Sequence, residues 1–110
     1  MHALFVTYAL DGPTEAEHAE LCEQLAPAFA AAPGLLSKTW LANAATGRFA
    51  AFSVFRDKAA FDAFVASELF ELLQTHSGLA GFTASDFSVQ EVPTAATRGP
   101  VARTRERSTV

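Results

Sequence analysis

The chain has 110 residues, half of them hydrophobic and ten of them Phe, a composition that suits one domain with its own core and excludes a disordered chain. No apolar run reaches the roughly 20 residues of a membrane-spanning helix, Met1-His2-Ala3-Leu4 lacks a basic leader segment, and the single Cys22 rules out an internal disulfide; together these fit a cytoplasmic protein. The formal charge of −4 is split, −7 over residues 1–93 against +3 over residues 94–110, and an acidic body argues against nucleic acid as a partner.

Residues 3–10, Ala-Leu-Phe-Val-Thr-Tyr-Ala-Leu, are rich in β-branched and aromatic side chains and predict a strand. Asp11-Gly12-Pro13 turns the chain, and Thr14 with Glu17 three residues on forms a capping box that starts a helix. His18, Leu21, Cys22, Leu25, Ala28, Phe29 and Ala32 recur at helical spacing as its inner stripe. Pro27 predicts a kink near Glu23, whose carbonyl loses its usual donor. Ala32-Pro33-Gly34 ends the helix, because Pro33 cannot extend it and Gly34 admits a positive-φ turn.

Residues 35–42 and 48–56 predict two strands joined by Asn43-Ala44-Ala45-Thr46-Gly47, a hairpin-length loop. Asp57 then caps a second helix whose stripe is Phe61, Phe64, Val65, Leu69, Leu72 and Leu73, with Gly78 as its stop. A last strand is expected over roughly 82–92, ending at Pro93. The domain is therefore expected to span residues 1–93, with 94–110 an Arg-rich, flexible tail.

Two strand-helix-strand units in succession define an α+β, ferredoxin-like βαββαβ arrangement: a four-stranded antiparallel sheet with both helices on one face. The other face is apolar too. Ala50, Phe52 and Val54 alternate with Phe49, Ala51 and Phe55, and Phe5 and Ala9 alternate with Leu4, Val6 and Tyr8. Burying one Phe is worth about 1.5–3 kcal/mol, so a second copy is expected to cover that face in a two-fold homodimer with the sheets packed face to face.

Few residues carry chemistry. Lys38 and Trp40, two apart on a strand, share a face, and a cation beside an aromatic platform can hold a planar anion. The alternative is a core Trp40 with Lys38 snorkelling past it. Tyr8 can hydrogen-bond a ligand oxygen or serve as a satisfied core tyrosine. Asp86 reads as a base or as an exposed edge residue. His18 and His76 lack paired ligand spacing and read as structural rather than as a metal site, and Cys22 reads as an inert thiol. Phe70 falls off the stripe of the second helix and is expected at a pocket entrance or across the dimer.

The string Asp11-Gly12-Pro13, Pro27, Pro33-Gly34-Leu35-Leu36, Lys38-x-Trp40, Phe55-x-Asp57 and Phe87-x-Val89-x-Glu91 resembles the YdhR-type monooxygenases. These lie within the dimeric α/β-barrel group that includes the antibiotic-biosynthesis monooxygenases, and the resemblance covers residues 4 to about 93. It implies a homodimer with a small apolar pocket in each subunit, oxygenating a small aromatic or polyketide-like molecule with no flavin, metal or other cofactor. On that footing the catalytic residues are Lys38, stabilising an enolate or phenolate oxygen, and Tyr8, orienting a substrate oxygen. Trp40 stacks on the ring, while Phe52 and Phe55 keep the cavity dry. An isomerase, lyase or cyclase on this fold, or a non-catalytic small-molecule-binding dimer, would use the same pocket.

Overall fold

The strands and helices start and stop at residues suited to cap or break them. The computed structural model describes residues 1–100. In chain order it holds β1 (His2–Leu10), α1 (Glu15–Ala30), β2 (Leu35–Asn43), β3 (Arg48–Phe55), α2 (Lys58–Val65), α3 (Glu68–Thr75), β4 (Leu79–Ser88) and α4 (Glu91–Ala96). The Glu17 N–H donates to Thr14 Oγ1 at 3.1 Å and the Thr14 N–H donates to the Glu17 carboxylate at 2.8 Å, closing the capping box of α1. Asp57 accepts from the Ala60 N–H at 2.8 Å and starts α2. Gly34, at φ +80°, turns the chain out of α1, and a Cβ there would collide with that of Ala60. Pro27 sits inside α1, which continues as helix to Ala30.

The sheet order is β2-β3-β1-β4, with every neighbouring pair antiparallel; this is the ferredoxin-like arrangement read from the element order. Leu4 and Val6 of β1 and Ala51 and Phe55 of β3 form the core with Phe29 of α1, Phe61 and Phe64 of α2 and Phe70 of α3. Helices α1 to α3 thus cover one face.

The second helix expected from the sequence is two helices. Ser67 Oγ accepts from the Phe70 N–H at 3.3 Å and caps α3 separately. The break changes the phase: Phe70 turns into the core at 4% exposure and Leu72 is left 52% exposed. Phe70 therefore lies neither at a pocket entrance nor across a dimer contact. In α1 the inner stripe is shallow, since Phe29 alone is fully buried and Ala28 faces solvent.

The last strand runs from Leu79 to Ser88 rather than over 82–92. Its pairing with β1 shifts between Thr7 and Ala9, where Gly81 at φ +61° lets an extra β4 residue bulge opposite Tyr8. The chain then enters α4, which straddles the boundary expected at residue 93. Val89, Thr94 and Pro100 line a groove with Phe52, Val54 and Phe87 on the outer sheet face, and Val54 is only 1% exposed there. The Val89 N–H donates to the Met1 carbonyl at 3.0 Å and the Met1 ammonium pairs with Glu91 at 2.8 Å, tying this segment to the start of β1. Part of the second face is thus covered by the chain itself, while Leu41, Phe52 and Phe87 stay exposed. Residues 101–110, with Arg103, Arg105 and Arg107 of the expected tail, lie outside the described residues.

Candidate active site between helix one and the sheet

Because only Phe29 of α1 is fully buried, the N-terminal half of the helix leaves a gap above the β2 side of the sheet. The gap is a cavity of about 470 Å³, within the range of small-molecule sites. His18, Cys22 and Ala26, on one face of α1, form one wall; Trp40 and Ala42 of β2 with Phe49 of β3 form the other, and Tyr8 of β1 lies between them. An inner recess of about 40 Å³ shares Tyr8, His18, Cys22 and Trp40 and adds Lys38, Phe29 and Phe82.

Tyr8 and His18 meet across this space. The Tyr8 hydroxyl and His18 Nε2 are hydrogen-bonded at 2.6 Å. Its ring stacks between those of Phe49 and Phe82, with centroids 5.9 and 6.3 Å away. Burial, with a smaller effect of the Cys22 thiol, pushes the Tyr8 hydroxyl up to about 12, and burial holds His18 below its ordinary value. At neutral pH the pair is a protonated phenol hydrogen-bonded to a neutral imidazole. Cys22 Sγ lies 3.4 Å from the same imidazole nitrogen. Burial raises this thiol against the opposing pull of Lys38, so it stays protonated.

Lys38 is the only cation bordering the recess among the described residues. Its Nζ lies 4.3 Å from the Phe29 ring centroid and 4.7 Å from that of Trp40, and it donates to Ser53 Oγ at 3.5 Å. No carboxylate lies within ion-pair distance of it among the described residues. The aromatic faces hold the cation in place of a counter-ion. Burial brings the ammonium down to about 8, with Cys22 opposing the shift. Trp40 stands edge-on to Phe29 at 5.4 Å and is partly exposed at the cleft.

Of the residues singled out from the sequence, Tyr8, Lys38 and Trp40 therefore meet in one place. Phe52 lies on the opposite sheet face, in the outer groove. Phe55 is fully buried against Phe61 and Phe64 and borders neither the cleft nor its recess. Asp86 pairs with His2 Nε2 at 2.6 Å on the β4 edge, and His76 Nδ1 accepts from the Gly78 N–H at 3.0 Å in the turn after α3. Sequence reasoning missed His18 and Cys22 as cleft residues. Their spacing of four placed both on one helix face, but nothing local said that this face would border a cavity instead of the core.

A ferredoxin-like α+β domain with an apolar cleft under its first helix is the class that fold and site define. A family model described as "Putative mono-oxygenase ydhR" matches residues 3–100, and the chain belongs to that family. Solved structures share the fold. SnoaB, a cofactor-independent oxygenase from Streptomyces nogalater, superposes with a TM-score of 0.65 at 20% identity, over 83% of this chain and 95% of that one. The protein NE2512 of unknown function from Nitrosomonas europaea gives 0.68 at 20% identity, over 83% and 90%. A MhuD mutant with two manganese protoporphyrin IX molecules bound per active site gives 0.65 at 16% identity, over 82% and 95%. At such identities the likeness shows the fold alone. No curated protein sequence matches significantly.

Proposed function

We propose that the chain is a cofactor-independent monooxygenase acting, as a homodimer, on a small aromatic or polyketide-like molecule held between α1 and the sheet. The observation that carries this is Lys38: a cation without a carboxylate partner among the described residues, set in an aromatic wall beside the Tyr8–His18 pair. An electron-rich phenol or enol suits such a place. Its ring stacks on Trp40, and its oxygen, once ionised, faces the ammonium. A preorganised cation of this kind contributes about 3–4 kcal/mol to the charged transition state.

The substrate proton leaves through Tyr8, whose hydroxyl passes its own proton to His18 Nε2 as it accepts the substrate's. The carbanion gives one electron to O₂, and the radical pair joins as a peroxide at the same carbon. The proton held on His18 returns to that peroxide, which loses water and leaves a carbonyl. A CH₂ becomes C=O, one oxygen atom is kept and the other leaves as water. The substrate supplies all the electrons. Family membership supports the proposal, as does the occurrence of a cofactor-independent oxygenase on the same fold.

The exposed Leu41, Phe52 and Phe87 mark the proposed two-fold contact on the outer sheet face. A cytoplasmic setting would keep Cys22 reduced. Oxygen uptake with a panel of hydroxylated polycyclic aromatics, in metal-free and flavin-free buffer, tests the proposal. Turnover that persists without oxygen would point to an isomerase, lyase or cyclase, and binding without turnover to a non-catalytic carrier.

A further inference from the structure

We propose that Lys38 also captures carbonyl compounds covalently: its amine, beside the wall of the cleft, forms an imine with aromatic aldehydes. This does not rest on the oxygenase proposal, because it needs only the cleft and the amine.

Lys38 borders a recess of about 40 Å³ that shares Tyr8, His18, Cys22 and Trp40 with the cleft of about 470 Å³, so the amine lies beside the wall of that cleft. No carboxylate ties up the amine among the described residues, and its contact with Ser53 Oγ is long at 3.5 Å. The Trp40 ring, 4.7 Å from Nζ, gives an aryl group a surface to stack on while the carbonyl carbon meets the nitrogen. Burial that brings the ammonium down to about 8 supports the same role. Roughly a tenth of it is free amine at pH 7, against less than about one part in a thousand for an ordinary lysine.

The step is a condensation. Nζ attacks the carbonyl carbon, the C–N bond forms, and the oxygen takes up a proton to give a carbinolamine. The C–O bond then breaks, the oxygen leaves as water with a proton taken from solvent, and an iminium remains. Cyanoborohydride transfers a hydride to the iminium carbon and fixes the adduct as a secondary amine. The neighbouring Cys22 thiol gives only a hemithioacetal, which the hydride does not trap.

The chain offers its own controls, because Lys38 and Lys58 are its only lysines. Lys58 is exposed and paired with Asp62 at 2.9 Å, and that partner raises its ammonium above the ordinary value. The Met1 amine pairs with Glu91 at 2.8 Å. The full-length protein is treated at pH 7 with naphthaldehyde and sodium cyanoborohydride, in parallel with acetaldehyde, and the adducts are mapped by peptide mass spectrometry. Lys38 should be modified at least about tenfold faster than Lys58, with a rate that saturates in naphthaldehyde. The ratio of Lys38 to Met1 adduct should be at least about tenfold higher than with acetaldehyde, and Lys38→Met should remove the saturable component. An unlabelled Lys38, or a Lys38-to-Met1 ratio equal for the two aldehydes, would overturn the proposal.

Discussion

The hydrogen bond of 2.6 Å between the Tyr8 hydroxyl and His18 Nε2 joins β1, at the point facing the β4 bulge, to the N-terminal half of α1 across the cleft. It holds a phenol that resists ionisation against an imidazole that resists protonation. At neutral pH the phenol therefore keeps its proton and the imidazole stays uncharged.

Tyr8 is the only tyrosine, so the near-ultraviolet absorbance of tyrosinate reports it alone. At about pH 10.5 the urea-unfolded protein should be more than half ionised, as an ordinary tyrosine is. The folded protein should show almost no tyrosinate at that pH, since its hydroxyl is pushed up to about 12. Equal signals from the two states would contradict the buried phenol.

Lys38 makes stability depend on pH. Its folded value of about 8 lies below the 10.5 of the unfolded chain, so between these values the unfolded state binds more protons and stability rises with pH. Between about pH 8 and pH 9.5 the wild type should gain on the order of 1 kcal/mol more than Lys38→Met, read by urea denaturation. Cys22, whose raised value acts in the opposite sense over this window, is present in both proteins; losing the downward pull of Lys38 raises it further in the variant, which widens the difference in the same direction. A zero difference would mean that Lys38 is solvated.

The break at Ser67 separates Phe70 from Leu72. Phe70→Ala should cost about 3–5 kcal/mol, because it opens a cavity under α3, whereas Leu72→Ala should cost under about 1 kcal/mol. Similar losses in denaturant melts would restore the single continuous helix.

The assembly is testable on its own. Sedimentation at micromolar concentration should give a dimer burying about 800 Å² or more per partner, and Phe52→Glu should shift it toward monomer while leaving the helix-side core intact. A wild-type monomer at that concentration would remove the proposed interface.

How much the sequence disclosed depended on how local each signal was. The Thr14–Glu17 box, the Gly34 turn and the Asp57 cap were legible because each is a contact within three or four residues, or a backbone preference of one residue. The strand alternation also separated Phe55 from Phe52 correctly. It did not say which face would hold the cavity, so both were assigned to it, and Phe55 belongs instead to the core. Ser67 was overlooked although Ser-Glu before an apolar run is a helix-start signal, because the stripe from Phe61 to Leu73 looked continuous. The meeting of Tyr8 with His18 was not legible. It depends on how far α1 stands from the sheet, and that distance is set by the packing of Phe29 against Trp40 of β2 and Phe64 of α2.

The oxygen electrode tests the central claim most directly, with the wild type, Lys38→Met and Trp40→Ala compared on one hydroxylated polycyclic substrate in metal-free, flavin-free buffer. The account predicts oxygen uptake by the wild type and a fall of about 10²–10³ in kcat for Lys38→Met with KM changed only a few-fold, since the charge acts in the transition state. Trp40→Ala should instead raise KM, because stacking is lost before and during the reaction alike. Full activity in both variants on a substrate that turns over would contradict the assignment of this cleft as the site of oxygenation.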